Sequence, residues 1–448
     1  MSHALSLSTN DAVVNRTLLI LNRLFPAPRT FTMRLWNGTE LPASSRSAFG
    51  LILNHPGALR RMFTPPIELA LGEAFIYGDF DIEGDIFAAF TPFDVIFNRS
   101  LSVSEIVSLA REVVALPGSG PTLPVGRGPS HLSGARHSRE RDRAAIQYHY
   151  NVGNEFYALW LDRRMQYSCG YFPTGAEDLH TAQERKLEHI CRKLRLKPGE
   201  RLLDIGCGWG GLALYVAEKY NVRVLGVTLS DRQAEYANDH IARSGLSDRV
   251  SVKLQDYRDL QAESFDKIVS VGMFEHVGHD HLPEYFSQAY RLLKPGGLFL
   301  NHGISYRPAI EYASEPQAKQ PAGWQDWIGR KILGMGSFMN RYVFPDGELV
   351  PVSEANLIAE RSGFEVRDVE SLREHYALTL RQWVNRLGEQ RVEAIQASDE
   401  VTYRTWRLYM AASAYGFESG KINVNQSLLV KQDRGKSNVP LTRADLYR

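Results

Sequence analysis

Cysteine is scarce in this sequence: 448 residues contain three, Cys169, Cys191 and Cys207. They are too few and too scattered for a disulfide framework or a paired zinc site, so a reducing compartment is expected. An apolar run of about eighteen uncharged residues is also missing, which argues against a membrane-spanning helix. The first twenty residues lack the basic segment, apolar core and cleavage site of a secretory signal. We therefore predict a cytoplasmic protein.

The sequence also lacks an excess of charge of either sign. Its 52 Lys and Arg residues balance 51 Asp and Glu residues, for a formal net charge of +1 at pH 7. This balance gives no support for a nucleic-acid partner, although a local basic patch is compatible with it. With 44% hydrophobic residues, the chain is an ordinary globular one, long enough for two or three domains.

A stretch rich in proline, glycine and serine, "LPGSGPTLPVGRGPSHLSG", interrupts the chain at residues 116–134. It has no helical or strand period, which is typical of a linker. We predict a small α+β N-terminal domain at residues 1–116, a linker that becomes basic at 117–143, a larger domain at 144–433 and a mobile tail at 434–448.

Two charged segments near the linker have a structural and a functional interpretation. The arginines of "ARHSRERDR" favour a solvated helix start, with a contact to anionic lipid as the alternative. In "YGDFDIEGD" acidic residues alternate as in a calcium loop. The twelfth position of an EF-hand loop starting at Asp79 is Phe90 rather than glutamate, so calcium is rejected in favour of an alternating strand or turn.

After the linker, segments rich in Val, Ile and Leu alternate with helical patterns. The predicted strands are "RLLDIGCG", "VRVLGVTLS", "VSVKLQD", "FDKIVSVGM" and "GLFLNHGI". Two amphipathic helices, "ALTLRQWVNRLGEQRVEAI" and "YRTWRLYMAASAYGFESG", precede "NQSLLVKQ", predicted as an antiparallel strand at the edge. This pattern indicates a mostly parallel, doubly wound α/β sheet, whose ligands bind at the carboxyl ends of the strands. Glu275 follows one such end.

The first turn between strand and helix, "DIGCGWGG", is rich in glycine. Glycine tolerates positive φ and lets a ligand approach the backbone, while the following helix start offers free N–H groups. The spacing of Gly206, Gly208 and Gly210, preceded by Asp204, departs from the dinucleotide fingerprint G-x-G-x-x-G. Gly211 could complete a degenerate version, so the loop alone does not identify the cofactor.

"DIGCGWGG", "GVTLS", "SVGMFEHVG" and "LLKPGG" together resemble the class I S-adenosylmethionine-dependent methyltransferases. With "YHYNVGNEFY" and "MQYSCGYF" upstream, the chain is more closely similar to the cyclopropane-fatty-acyl-phospholipid synthase family, from Ala144 to about Gln432. "LALGEAFIYGDFDIEGD" also resembles the N-terminal, lipid-associated domain of longer bacterial members. The resemblance implies a Rossmann-like fold with a seven-stranded, mostly parallel sheet.

The resemblance also implies the cofactor and its contacts. The residues expected to bind S-adenosylmethionine are Tyr150, Tyr167, Ser168, Asp204, Gly206, Gly208, Gly210, Thr228, Gln233, Tyr257 and Gly272. The second strand ends without the acid that binds a ribose in NAD enzymes, which matches the synthase family. Tyrosine faces at Tyr150 and Tyr167 could stabilise the sulfonium by about 0.5–2 kcal/mol each; packing against a helix is the alternative.

In that family a bound bicarbonate ion is the base, and its implied ligands here are Cys169, Glu275, His302, Ile304 and Tyr376. The implied reaction adds a methyl(ene) group to the double bond of an unsaturated acyl chain, most simply in a phospholipid, and closes a cyclopropane. Because an alkene has no proton to lose before it attacks the methyl, a carbocation forms, which requires a base and the exclusion of water. A carboxylate repels an anion, so Glu275 would accept the bicarbonate O–H or orient His302, while His302 and Tyr376 donate.

Other readings of these residues stay open. Cys169, His302 and Glu275 could form a thiol hydrolase set, but the glycine loop would then have no use. Cys169 with His276, His279 and His281 could bind a metal, although structural roles for the histidines are favoured. The same carbocation could instead give a methylene or methyl-branched chain. A non-catalytic lipid-binding protein is the last alternative.

A membrane surface is an expected partner, together with the unsaturated lipid and, from the resemblance, a second copy of the chain. Between residues 305 and 345, Trp324, Trp327, Ile328 and Ile332 share one helical face. Such a helix could lie at a bilayer surface or cap an acyl pocket, and a buried core helix is equally compatible. We therefore expect a cytoplasmic enzyme associated peripherally with the inner face of the membrane.

Overall fold

The computed structural model describes residues 9–98, 102–118, 120–121, 124–261, 264–306, 334 and 336–447. The chain divides into two compact units. The first comprises the described residues of Met1–Gly128, Tyr312–Val343 and Asp399–Ala412, and the second those of Pro129–Glu311, Phe344–Ser398 and Ser413–Arg448. Two segments of the first unit therefore fall inside the range predicted as the larger domain.

The first unit is an α+β assembly around a four-stranded sheet. Its helices are α1 (Thr9–Leu24), α2 (Ala58–Met62), α3 (Ile67–Ile76), α4 (Phe90–Asn98), α5 (Val103–Val114), α12 (Ser337–Tyr342) and the larger part of α16 (Glu400–Glu418). Its strands are β1 (Thr32–Arg34), β2 (Glu40–Leu41), β3 (Phe49–Leu53) and β4 (Phe80–Gly84), in the order β2-β1-β3-β4. The acidic segment that suggested calcium thus forms β4, which pairs antiparallel with β3.

Close packing ties α12 to α3 within the first unit. The Phe338 ring lies against Gly72, where a Cβ would come within 2.1 Å of it. The Tyr342 hydroxyl donates to Glu73 at 2.8 Å and lies 3.1 Å from the Tyr77 hydroxyl. These contacts explain why a segment so distant in sequence belongs to this unit.

The second unit contains the larger sheet. Its helices are α6 (Arg139–Tyr150), α7 (Asn154–Trp160), α8 (Leu179–Leu194), α9 (Gly211–Tyr220), α10 (Asp231–Arg243), α11 (Leu282–Leu292), α13 (Val352–Arg361), α14 (Arg373–Glu389), α15 (Arg391–Ala397) and the end of α16 (Glu400–Glu418). Its strands are β5 (Arg201–Ile205), β6 (Arg223–Thr228), β7 (Val250–Leu254), β8 (Phe265–Val271), β9 (Leu293–Tyr306), β10 (Glu365–Ser371) and β11 (Ile422–Val430).

The seven strands run in the order β10-β11-β9-β8-β5-β6-β7. The pairs from β9 to β7 are parallel, whereas β11 is antiparallel to both β9 and β10. The predicted α/β class and mostly parallel seven-stranded sheet are confirmed. The inner parallel strands β5, β6 and β8 are largely buried on both faces, whereas the edge strand β7 alternates buried and exposed residues.

Two details of the sheet prediction are wrong. β11 is antiparallel as expected but lies inside the sheet, because its apolar second half is buried on both sides. The edge position belongs to β10, "EVRDVES", whose charged residues suit an edge strand and hide its strand pattern. The first predicted C-terminal helix also breaks at Gln390 into α14 and α15.

The C-terminal segment packs within the second unit. Leu446 is buried, Asp445 pairs with Arg195 at 2.8 Å, and Arg443 pairs with Asp368 at 2.6 Å. The prediction of a mobile tail did not include these contacts, because the composition of the tail does not reveal which residues its side chains pair with.

The predicted amphipathic helix around Trp324 lies outside the described residues. Within the parts of the chain that the structure describes, none of the helices has the length and apolarity needed to cross a membrane.

Candidate active site

The glycine loop forms a tight turn between β5 and α9. Gly206 and Gly208 have φ of +79° and +56°, values that side chains disfavour. A Cβ on Gly206 would lie 2.7 Å from the Met273 side chain. The Gly206 and Cys207 amides both donate to the Val227 carbonyl, at 2.9 and 3.0 Å. The loop is therefore fixed to β6, with its backbone exposed to the space above the strand ends.

That space is a cavity, open to solvent, at the carboxyl ends of the parallel strands. Ten of the eleven residues predicted to bind the cofactor line it: Tyr150, Tyr167, Ser168, Asp204, Gly206, Gly208, Thr228, Gln233, Tyr257 and Gly272. Gly210 is not among the lining residues. It caps α9 at φ +80°, and a Cβ there would lie 3.0 Å from Ala237 of α10, so it allows close helix packing, while its cofactor contact stays a prediction.

Polar side chains in the cavity wall are held by neighbouring groups. The Thr228 hydroxyl donates to Gln233 at 2.8 Å, and Ser230 caps α10 by accepting from the Gln233 amide. Burial raises the pKa of Asp204 to about 7, and the Lys186 ammonium opposes that rise. The Asp204 carboxyl is thus poised between its neutral and charged forms near neutral pH.

The cavity wall also contains a network of acidic and basic side chains that the sequence analysis did not predict. Arg258 pairs with Asp256 at 2.6 Å and with Asp142 of α6 at 3.0 Å, and all three line the cavity. The signal for it was "QDYRD" after β7, where an acid and an arginine flank the predicted Tyr257.

Tyrosine rings form the side of the cavity next to α6. Tyr150 and Tyr167 meet edge to face at 6.2 Å between ring centroids, and Tyr150 also contacts Trp209 at 5.8 Å. Such faces could receive a cation. The Trp209 indole donates to Asn154 at 2.8 Å, which holds the aromatic group against α7.

Ion pairs fix the arginine-rich start of α6 over the cavity. Arg139 pairs with Asp259 at 2.5 Å, Arg141 with Asp346 at 2.5 Å and Arg143 with Asp231 at 3.1 Å. The sequence suggested that these arginines are solvated. In the structure each of them is also paired with a carboxylate of the protein.

Of the five residues predicted to bind bicarbonate, here called the second group, Glu275 and Ile304 are in contact, and His302 lies on the same strand as Ile304. None of the five lines the cavity, but Ser168 and His276, which are next to Cys169 and Glu275 in the chain, do. The Gly272 amide donates to the His302 carbonyl at 2.9 Å, which joins the ends of β8 and β9. Glu275, in a short turn after β8, accepts from the Ile304 amide at 2.6 Å.

A series of backbone contacts connects the remaining two residues, Cys169 and Tyr376, to Ile304. Val424 of β11 pairs with Ile304 of β9, and its carbonyl accepts from the Leu372 amide at 2.8 Å. The Leu372 carbonyl in turn accepts from the Tyr376 amide at 3.0 Å and lies 3.7 Å from the Cys169 sulfur. The five residues thus come from segments more than two hundred positions apart.

Glu275 and His302 each present one buried polar atom without a partner among the described residues. Burial raises the pKa of Glu275 to about 7, against the effect of the Ile304 amide, and its Oε2 is unpartnered. His302 Nδ1 lies 3.1 Å from the Gln426 side-chain amide nitrogen; if that nitrogen donates to it, the neutral ring carries its proton on Nε2, which has no partner among the described residues. Burial, with Lys186 and Lys193, lowers the pKa of His302 to about 3, so the ring is neutral.

The other interpretations of these residues lack structural support. Burial raises the pKa of the Cys169 thiol, whereas a nucleophilic cysteine requires a lowered one. Across the described residues, no group of three or more His, Cys, Asp or Glu side chains is arranged to hold a metal. His279 binds Glu354 at 2.8 Å, and burial lowers the pKa of His276 to about 4 beside the Phe344 ring.

Comparison with known proteins gives consistent matches. The family model described as mycolic acid cyclopropane synthetase matches residues 137–427. The chain is 40% identical over 418 residues to a Pseudomonas putida protein named "Probable fatty acid methyltransferase", covering 93% of this chain and 96% of that protein. It is 38% identical over 299 residues to the cyclopropane-fatty-acyl-phospholipid synthase of Escherichia coli strain K12, covering 66% and 71%.

A solved structure agrees with these matches. The crystal structure of the mycolic acid cyclopropane synthase CmaA1 complexed with SAH and CTAB is 34% identical, with a TM-score of 0.58, over 64% of this chain and 97% of that one. The resemblance stated from the motifs and the predicted enzyme class are confirmed. This chain belongs to the mycolic acid cyclopropane synthetase family, with the class I S-adenosylmethionine-dependent methyltransferase fold.

Proposed function

We propose that this enzyme transfers a methyl(ene) group from S-adenosylmethionine to the double bond of an unsaturated acyl chain in a phospholipid and closes a cyclopropane ring. One observation carries the proposal: Glu275 Oε2 and His302 Nε2 are buried and have no hydrogen-bond partner in the part of the chain that the structure describes. A buried acceptor and a buried donor left this way are costly unless a ligand satisfies both.

The cavity residues fit S-adenosylmethionine. The glycine loop lets a ligand approach its backbone closely, and Tyr150 and Tyr167 offer their faces to a sulfonium. Asp256, Thr228 and Gln233 supply polar contacts on the opposite wall. When bound, the cofactor supplies an electrophilic methyl group. The chain's task is to hold that group against the acyl double bond.

The second group fits a bicarbonate ion, which would supply a base for the proton that leaves the new methyl group. His302 Nε2–H can donate to an anion oxygen, and the Tyr376 hydroxyl is proposed to donate as well. Glu275 Oε2 can accept the bicarbonate O–H. Since these groups are buried, they also keep out the water that would trap a carbocation as an alcohol.

The nature of the product is the second question. The name of the Pseudomonas putida relative, a fatty acid methyltransferase, supports an alternative in which the same site yields a methylene or methyl-branched chain. Both outcomes begin with the same methyl transfer, and both remove a proton from the new methyl group; the methylene branch requires a hydride shift between the two former alkene carbons first, whereas ring closure does not. A base held by Glu275 and His302 that removes the proton before this shift favours ring closure.

Lipid analysis of cells that express the protein tests the proposal. We expect monounsaturated phospholipid chains to gain 14 mass units and the product to resist hydrogenation, as a ring does. A methylene branch would also gain 14 units but take up hydrogen, and a reduced methyl branch would gain 16. Absence of any methylated lipid, with the protein expressed and folded, would overturn the proposal and favour a non-catalytic lipid-binding protein.

We further propose that the enzyme works as a homodimer at the inner face of the membrane, where its substrate lies. Flotation with vesicles of monounsaturated phosphatidylglycerol measures the membrane contact, and light scattering of the full chain measures the mass. Protein that does not float with the vesicles would contradict the membrane contact. A monomer mass would contradict the homodimer.

A further inference from the structure

Lys186, on α8, is a buried lysine whose hydrogen bonds reach two residues of the cofactor cavity. Its side chain is 1% exposed. Its ammonium donates to Gln166 Oε1 at 2.6 Å and to the Ser168 hydroxyl at 3.0 Å. Both partners line the cofactor cavity, and Ser168 immediately precedes Cys169. One side chain thus supports the segment that connects the two parts of the site.

The hydrogen-bond partners of this ammonium are neutral, which distinguishes it from the next buried lysine of the same helix. Lys193, two turns further along α8, has the Glu370 carboxylate at 2.5 Å. Burial lowers the pKa of Lys186 to about 8, and the more distant Asp162, Cys169 and Asp204 oppose that change. A buried cation with neutral direct partners is costly and calls for a nearby negative charge.

The charge of Lys186 acts on both parts of the site. It lowers the pKa of Asp204 at the cofactor loop, and it lowers the pKa of both Cys169 and His302 in the second group. Its field therefore extends to the place where an anion is proposed to bind.

The second group needs such a charge. Its histidine is neutral, its thiol is neutral, and its one ionisable acid, Glu275, is repulsive to an anion when charged. An anion buried among neutral donors gains hydrogen bonds but no compensating cation. The groups that form the set do not by themselves explain how an anion would be retained.

We propose that Lys186 is a positioning residue that orients Ser168 at the cofactor cavity and supplies the positive charge that retains the anionic base beside His302. The second part rests on the proposed function, because it assumes that the base is a bicarbonate ion. The first part stands on the hydrogen bond to Ser168 alone.

Substituting Lys186 with Met removes the charge and nearly keeps the shape. Binding of S-adenosylhomocysteine is measured by calorimetry, and binding of ¹³C-bicarbonate to the complex is measured by NMR line broadening. We expect bicarbonate to bind at least tenfold more weakly in Lys186→Met and S-adenosylhomocysteine about threefold more weakly. Lys186→Gln, which is smaller and polar, provides a second neutral variant should the methionine variant fail to fold.

Two further variants separate charge from structure. Lys267→Met removes another buried lysine of the same unit, on β8, whose partner is Glu200, and we expect both affinities to stay within twofold. Ser168→Ala keeps the cation but removes its hydroxyl partner. We expect it to weaken S-adenosylhomocysteine and to leave bicarbonate binding within twofold.

The outcomes distinguish the two proposals. If the unmodified enzyme binds bicarbonate and the neutral variants bind it equally well, the charge role of Lys186 is wrong and the proposed function stands. If the unmodified enzyme binds no bicarbonate, the proposed base itself fails. Unchanged S-adenosylhomocysteine affinity in both neutral variants would overturn the positioning role.

Discussion

The cofactor cavity takes much of its wall from consecutive residues and exposed backbone, whereas the second group around Glu275 and His302 takes its five residues from four separate segments. The cavity is open to solvent and includes the glycine turn after β5. Glu275 and His302 of the second group are buried, and each has one polar atom without a partner among the described residues. From this difference we predict that cofactor binding tolerates side-chain changes in the wall, while the chemistry depends on a few buried atoms.

Glu275→Gln is expected to have the largest effect and to separate turnover from cofactor binding most clearly. We expect turnover to fall at least 100-fold, in the range typical of acid–base groups, because the amide presents a donor or a weaker acceptor to the base. S-adenosylhomocysteine affinity should stay within twofold, since Glu275 does not line the cavity. Steady-state methyl transfer and calorimetry measure the two effects.

Glu188→Gln is the matched control, because that glutamate accepts from Tyr215 and Tyr220 elsewhere in the same unit. It should leave turnover within twofold. Equal turnover in Glu275→Gln and the unmodified enzyme would remove Glu275 from the chemistry.

Tyr376→Phe tests the same separation of turnover from cofactor binding, with a smaller expected effect. The ring keeps its contacts with Phe417 and Trp383, so only the hydroxyl is lost. We expect turnover to fall about 10–100-fold, the loss that follows removal of one donor to an anionic group. Tyr215→Phe removes a hydroxyl far from the site and should have no such effect. Loss of cofactor affinity in Tyr376→Phe would contradict this assignment and indicate that Tyr376 contributes to cofactor binding.

Gly206→Ala tests the cavity in the opposite direction. The new Cβ meets Met273 at 2.7 Å and forces a side chain to φ +79°, so we expect S-adenosylhomocysteine to bind about tenfold more weakly. Gly175→Ala has the same φ strain, at +81°, but open space around it. Both variants should lose about 1–2 kcal/mol of stability, and only the first should lose affinity. Equal affinity in the two would show that the loop does not approach the cofactor.

The pH dependence of stability gives the smallest of these effects. The folded-state pKa of Glu275 is raised to about 7 from 4.5, so its contribution is fully present below pH 4.5 and is lost as pH rises through 7. Between pH 5 and pH 8 the unmodified protein should lose on the order of 1 kcal/mol more stability than Glu275→Gln. Asp204 titrates in both proteins and cancels. Urea unfolding in carbonate-free buffer measures the difference, and parallel pH profiles would contradict the assigned protonation.

The sequence predicts the second unit well where strands are apolar and turns are rich in glycine, because those patterns are local. It fails at β10, a charged edge strand. It also does not reveal the packing of Gly210 against Ala237, which depends on a helix from elsewhere in the chain. The residues proposed to hold the base came from the family resemblance. Their convergence depends on strand pairing between β9 and β11, which no local pattern contains.

Lys186 shows a different limit of sequence reasoning. A lysine in an amphipathic helix ordinarily faces solvent, and nothing in "LHTAQERKLEHICRKL" marks this one as buried. Its position becomes visible only when Gln166 and Ser168 are placed beside it. The same holds for the network of Asp142, Asp256 and Arg258, which joins α6 to the loop after β7.

The central claim is that the side chains of the second group retain a base that the protein does not itself contain. The direct test is methyl transfer to monounsaturated phospholipid vesicles by purified enzyme after dissolved carbonate is removed under inert gas. We predict that turnover falls at least tenfold and returns when bicarbonate is added. Undiminished turnover without carbonate would contradict the claim and assign the base to a group of the chain itself.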